Sequence, residues 1–239
     1  MKKIVGSLIL IIMMTLNSQS SYAKGDTTLL YYLTRPPKVQ TQKPPLLILL
    51  HGVGSNEQDL FRIANDLPDN FLVISVRAPF TISDGRYKWY DVDFSSGTPR
   101  FNTEQAEKSR LIILNFINQL KEKHSFNEDE IYLGGFSQGA IMSFSVGLTR
   151  PDKVKGVIAL SGRVLSEIKP NIADQHKLKS LKALVIHGKN DEVLSINYAR
   201  QSKSLLDSLH IQSDYFELNM GHIITSDVIN LMNKWLKAE

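Results

Sequence analysis

Residues 131–146 constrain the fold more than any other stretch. Ile131-Tyr132-Leu133-Gly134-Gly135 is an apolar run of strand type. It breaks at Gly135-Phe136-Ser137-Gln138-Gly139 and passes directly into Ala140-Ile141-Met142-Ser143-Phe144-Ser145-Val146, an apolar run of helical type. A strand that becomes a helix within five residues brings two backbones close together. Gly135 and Gly139 lack the Cβ atoms that would collide there. Such a turn lifts the Ser137 hydroxyl into the open at a helix N-terminus, where developing negative charge is favoured. The same pentad could also be a plain strand–loop–helix link whose serine only caps the helix. The rest of the chain has to separate the two readings.

Further apolar runs share the strand character. Leu46–Leu50, Phe71–Val76, Gly156–Leu160 and Leu181–Ile186 are five or six residues long and almost wholly apolar, Ser75 and Lys182 being the exceptions, as expected of strands covered on both faces. Thr27–Thr34 alternates more loosely and is expected as an early strand, and Ser213–Leu218 as the last. Helical spacing fills the gaps. Thr103–Lys123 carries an apolar stripe of Ile112, Phe116, Ile117 and Leu120, Ser195–Leu209 is amphipathic, and Thr225 is placed to cap a final helix with Ile229, Met232 and Leu236 inside. Ser55-x-x-Gln58 fits a capping box that opens a helix. Strands alternating with helices predict an α/β fold, a mostly parallel sheet with helices on both faces. Phe80–Phe101 shows no sustained period and reads as a long loop, and Leu165–Ser180 is polar and irregular.

The first residues read as a leader. Lys2-Lys3 is a positive start, Ile4–Leu16 is apolar but too short to span a bilayer comfortably, and Ser21-Tyr22-Ala23 puts small residues where a signal peptidase reads. Cleavage is expected after Ala23, leaving 24–239 as one domain, with export to the periplasm or medium. An uncleaved N-terminal anchor is the alternative. No later stretch reads as a membrane span. Losing Lys2 and Lys3 lowers the formal net charge from +4 to +2, and the remaining lysines are interspersed with acids, so nucleic acid is not an expected partner. The chain has no cysteine, which removes disulfides, thiolate metal sites and cysteine nucleophiles.

A serine becomes a good nucleophile only when an imidazole takes its proton, and the imidazole needs a carboxylate to fix its tautomer. In a strand-to-helix elbow architecture the chain order is Ser, acid, His. Only His210 and His222 follow the last acid-bearing strand. His210 ends a helix, where a cation suits the dipole; His222 follows a strand within Gly221-His222. For the acid, Gly162 is followed by Arg163, whereas the next strand offers Asp191, favoured over the adjacent Glu192. Ser137, Asp191 and His222 then all lie beyond the carboxyl ends of strands, where open α/β sheets bind ligands. A tetrahedral intermediate also needs two backbone donors. Gln138, after the nucleophile, and Val53, in His51-Gly52-Val53-Gly54, are the expected oxyanion donors. His51 and His187 each precede a glycine and read as loop-shaping. Trp89, Tyr90 and Phe94 are expected to line an acyl or alcohol pocket, with ordinary packing as the other reading of their aromatic density. No histidine spacing suggests a metal, and no phosphate-cradling glycine loop is present.

The set Leu49-Leu50-His51-Gly52-Val53-Gly54, Gly135-Phe136-Ser137-Gln138-Gly139, His187-Gly188-x-x-Asp191 and Gly221-His222 resembles the phospholipase/carboxylesterase family of α/β-hydrolases, which includes the acyl-protein thioesterases. The resemblance runs from about Leu46 to the C-terminus. It implies an α/β-hydrolase fold without a large cap domain, a small-molecule ester or thioester substrate, possible action on lysophospholipids, no cofactor, and the five site residues just named. Trp89-Tyr90-Asp91 and its surroundings resemble the bacterial esterase branch more than the thioesterases. The expectation is an exported serine carboxylesterase. A peptidase, or a binding protein that keeps the fold without activity, are the alternatives.

Overall fold

A computed structural model describes residues 30–39, 41–93 and 100–238. The leader and Phe94 lie outside these residues. Chain order is β1 (Tyr32–Arg35), β2 (Leu46–Leu50), α1 (Glu57–Phe61), β3 (Leu72–Val76), β4 (Phe80–Ser83), β5 (Arg86–Lys88), β6 (Val92–Asp93), β7 (Arg100–Phe101), α2 (Thr103–Lys123), β8 (Ile131–Phe136), α3 (Gln138–Thr149), β9 (Gly156–Leu160), α4 (Gln175–Leu178), β10 (Lys182–Gly188), α5 (Ile196–Ser208), β11 (Gln212–Leu218) and α6 (Ser226–Ala238). Seven strands form one sheet in the order β1-β3-β2-β8-β9-β10-β11. Only β1 runs antiparallel to its neighbour. This is the mostly parallel sheet expected from the alternating runs, in the α/β-hydrolase architecture that the resemblance implies.

The uniformly apolar strands are explained by two cores. Along β2, Leu46, Ile48 and Leu50 enter one core together with Phe116 and Ile117 of α2, Phe144 of α3 and Leu206 of α5. Leu47 and Leu49 enter the other, with Leu60 of α1 and Val228, Met232 and Trp235 of α6. A period-two strand whose two faces are both covered must be apolar at every position. Each such leucine contributes about 1.5–3 kcal/mol by leaving water.

Order along the sheet reverses between β2 and β8. From β2 the chain steps outward to β3 on one side, while β8, β9, β10 and β11 follow in sequence on the other. Loops beyond the carboxyl ends of β2 and β8 therefore part and leave a crevice.

Local differences from the sequence reading have simple causes. Asn56, rather than Ser55, caps α1: its side chain accepts from the Gln58 amide. The expected loop from Phe80 contains, among the described residues, two short antiparallel pairs, β4–β5 and β6–β7, whose strands of two to four residues are too brief to show a period. On α2 the buried stripe is centred on Ile113, Phe116, Ile117 and Leu120, and Ile112 is only half-buried. The polar stretch from Leu165 contains a 3-10 turn at Ser166–Asn171 and the short α4.

Candidate active site

At the end of β8, Ser137 adopts φ 53° and ψ −116°. A non-glycine residue in this region is strained by on the order of 1–3 kcal/mol and persists only where its surroundings enforce it. They do so here through close packing. A Cβ on Gly139 would lie 1.9 Å from the Leu50 carbonyl oxygen, and one on Gly135 would lie 2.2 Å from the Gly139 carbonyl carbon. The two glycines let α3 turn back across the ends of β2 and β8. Ser137 N donates to the Leu160 carbonyl on β9 at 2.9 Å, which fixes the elbow to the next strand.

Asp191 and His222 come from loops after β10 and β11. These neighbouring parallel strands bring the loops together, and backbone bonds knit them: Lys189 N donates to Leu218 O at 2.8 Å and Asn190 N to Met220 O at 3.1 Å. Gly188 is required because a Cβ there would lie 2.3 Å from the Met220 carbonyl oxygen. Asp191 Oδ2 accepts from His222 Nδ1 at 2.7 Å. Its Oδ1 accepts from the amides of Val193 at 2.9 Å and Leu194 at 2.7 Å. The carboxylate is thus held by fixed donors on both oxygens, and His222 Nδ1 carries the proton it gives to Asp191. The Nε2 lone pair is left free to act as a base. Glu192, the weaker candidate, is exposed. The His222 ring packs on Phe136, the residue before Ser137, with centroids 4.8 Å apart. The serine hydroxyl itself is not hydrogen-bonded to the ring in this structure. Such contacts are often long before substrate binds.

His187 lies beneath this pair. Its Nε2 donates to the Leu194 carbonyl at 2.7 Å and stands 3.3 Å from Asp191 Oδ2. Burial pushes its pKa down, and this outweighs the pull of Asp191. A neutral ring bracing the 191–194 turn is the loop-shaping role expected from sequence.

Val53 stands in the loop after β2, about half exposed at 51%. No hydrogen bond to its amide is found among the described residues. Gln138 is the first residue of α3, so its amide has no partner within the helix. The two loops touch, since a Cβ on Gly52 would lie 3.4 Å from Ser137 Cβ. His51 shapes the loop as a neutral ring. Its Nε2 accepts from the Ala78 amide at 3.0 Å, which leaves the proton on Nδ1 to be donated to Gly52 O at 2.7 Å. Burial lowers its pKa accordingly.

Trp89 and Tyr90 require a correction. They are exposed by only 0% and 1%, so neither ring forms a pocket wall that a substrate could touch. They brace the oxyanion loops instead. Trp89 Nε1 donates to His51 O at 2.9 Å, and the Trp89 amide donates to Gln138 Oε1 at 2.7 Å. Gln138 Nε2 in turn donates to Tyr90 O at 2.8 Å. Tyr87 pairs by its backbone with Gly54 and Ser55 at 2.8 Å each. Sequence reasoning missed this brace, although the glutamine side chain beside the nucleophile was the available signal.

Known proteins share this chain's sequence pattern and fold. The family model for phospholipase/carboxylesterase matches residues 37–239. The chain is 27% identical over 201 residues to acyl-protein thioesterase 1 homolog 1 of Dictyostelium discoideum, covering 80% of this chain and 88% of that one. It is 31% identical over 159 residues to acyl-protein thioesterase 1 of Kluyveromyces lactis, covering 62% and 69% respectively. Among solved structures, esterase PE8 superposes with a TM-score of 0.75 at 25% identity, over 88% of this chain and 99% of that one. The Bacillus cereus carboxylesterase has the same fold, with a TM-score of 0.75 at 23% identity over 87% and 94%. The chain belongs to the phospholipase/carboxylesterase family and is a hydrolase of the ester-cleaving type.

Proposed function

We propose that the protein hydrolyses carboxylic esters through an acyl-enzyme on Ser137. Ser137 Oγ attacks the acyl carbonyl while His222 Nε2 takes its proton. Asp191 holds His222 in the correct tautomer and offsets the imidazolium charge. The amides of Val53 and Gln138 stabilise the tetrahedral oxyanion, and His222 then gives its proton to the departing alcohol. Water attacks the acyl-enzyme with His222 again as base, releasing the acid and restoring Ser137. No cofactor takes part. The observation that carries this reading is the 2.7 Å bond between Asp191 and His222, on the same sheet rim as a serine held at φ 53°.

A fluorophosphonate probe tests it. Wild type should be labelled and Ser137→Ala should not; an unlabelled wild type would mean a binding protein. A thioester substrate is the second reading, favoured by the names of the thioesterase relatives. Comparing matched oxygen and thio esters of one acyl chain decides between them.

The leader pattern supports export as well. Expression in a Gram-negative host, followed by N-terminal sequencing of the exported material, should give a chain beginning at Lys24. Retention of Met1 would remove that part of the reading.

A further inference from the structure

Arg163 differs from most arginines among the described residues. Arg77 is paired with Glu57, Arg110 with Glu107, Arg150 with Asp152 and Arg200 with Glu217. Arg35 donates to the carbonyls of Ala64, Phe71 and Pro68. For Arg163 no hydrogen bond or ion pair is found among the described residues, and its Nε is buried without a partner. Yet the group is held firmly. Its guanidinium carbon lies 4.5 Å from the Phe101 ring centroid and 4.8 Å from that of Tyr198. A planar cation stacked by two rings is pre-organised, and its five donors form a fork matched to a carboxylate or phosphate. Its buried Nε is costly to leave unpaired, and an anion on the fork is the complement its chemistry calls for.

The backbone just before it adjoins the nucleophile's turn. After β9 the chain turns through Ser161 at φ 48°. Gly162 then packs on the elbow, where a Cβ would lie 2.4 Å from Ala140 Cβ and 3.3 Å from the Ser137 carbonyl oxygen. Arg163 follows at once and lines a recess of about 160 Å³ with Lys169, Tyr198 and Gln201. That space equals about five water volumes, enough for a carboxylate or phosphate group but not for a long acyl chain. Lys169 adds a second cation. Glu167, the acid on the same turn, accepts from the Ser166 hydroxyl at 3.0 Å and makes no ion pair with Arg163.

We propose that Arg163 is a specificity residue that selects esters carrying a carboxylate or phosphate group near the scissile bond. The inference rests on the esterase reading above. Two matched pairs place the charge on either side of the ester. Methyl hexanoate against monomethyl adipate puts a carboxylate on the acyl side. Hexanoylglycerol against hexanoylglycerol 3-phosphate puts a phosphate on the alcohol side. The readout is the ratio of kcat/KM, charged to neutral, followed by titrating the acid released. Wild type should favour the charged member of one pair by about tenfold or more, and Arg163→Gln should bring that ratio to about one. Arg163→Lys, which keeps the charge but not the fork, should fall between. The ratio is internal to each protein, so partial loss of folded enzyme cancels. The pair that responds identifies the side on which the anion sits. A wild-type ratio near one in both pairs overturns the inference without any variant, and so does a preference that survives in Arg163→Gln. If neutral and charged esters are all left intact, the esterase reading itself has failed and this inference with it.

Discussion

The two halves of the site are built from different materials. On the proposed acid–base side, Asp191 and His222 would act through ionisable side chains, and the carboxylate is held by three bonds of 2.7–2.9 Å. On the proposed oxyanion side the working groups would be two backbone amides, those of Val53 and Gln138, and their supports are neutral. An indole N–H, a carboxamide and a neutral His51 tie three separate segments together. In the first half, losing a side chain removes the chemistry. In the second, no side chain does chemistry, so a substitution can only disturb alignment.

The largest effects should therefore fall on the first half. Ser137→Ala should lower kcat by about 10⁴–10⁶ and abolish labelling by the fluorophosphonate probe. Asp191→Asn should cost about 10⁴ in kcat, because an amide facing His222 Nδ1 favours the wrong tautomer. Small losses for both, measured by steady-state kinetics on one ester, would show that neither residue does the chemistry proposed for it.

Gln138→Ala is the matching test of the second half. It keeps the backbone amide and removes only the side-chain bridge to Trp89 and Tyr90. Misplacement by about 1 Å can cost roughly 10²-fold, so a fall of about 10- to 100-fold in kcat is expected with KM nearly constant. A fall as large as that of Asp191→Asn would erase the distinction between the halves.

Trp89→Phe should have a smaller effect. It preserves most of the packing but leaves the buried His51 carbonyl without its indole donor. The expected cost is about 1–3 kcal/mol of stability, with a several-fold drop in kcat. Chain-length preference on a panel of p-nitrophenyl esters should not change. A shifted preference would restore Trp89 to the substrate pocket and count against its role as a brace.

The same contrast decides what could be read from sequence. Ser137, Asp191 and His222 stand out because acyl transfer needs those residue types in that order, and each follows a stretch that reads as a strand. The sheet was legible because buried parallel strands leave continuous apolar stretches. Val53 and Gln138 were reachable only through their neighbours, since an amide N–H has no signature of its own. Trp89 gave no hint of its role, because an aromatic in an aperiodic stretch suits a pocket wall or a core equally. The short antiparallel pairs between Phe80 and Phe101 were hidden by strand length. Arg163 was noticed only as a residue that could not be the acid; its two rings, Phe101 and Tyr198, lie far from it in the chain.

The smallest expected effect concerns the buried imidazoles. Burial holds His51 and His187 below their ordinary pKa in the folded protein. The unfolded chain therefore binds more protons than the folded one once pH drops below about 6.5. Their contribution to stability is complete above that value and is lost progressively as pH falls toward the folded-state values. Glu57 acts lower on the scale. Its bidentate pair with Arg77 holds its carboxyl below the usual range, so its contribution is present above about pH 4.5 and fades below it. Tm should thus begin to fall between pH 6.5 and 5, before any carboxylate matters, by about 2–4 °C for each kcal/mol lost. His51→Gln should be less stable at pH 8, because it loses the bonds to Ala78 and Gly52, yet its Tm should depend less steeply on pH through that window. Glu57→Gln should keep the wild-type slope above pH 5.5 and differ below it. If His51→Gln keeps the full wild-type slope, the neutral brace is not what responds to acid, and the oxyanion half loses its claim to be held by a ring that must stay uncharged.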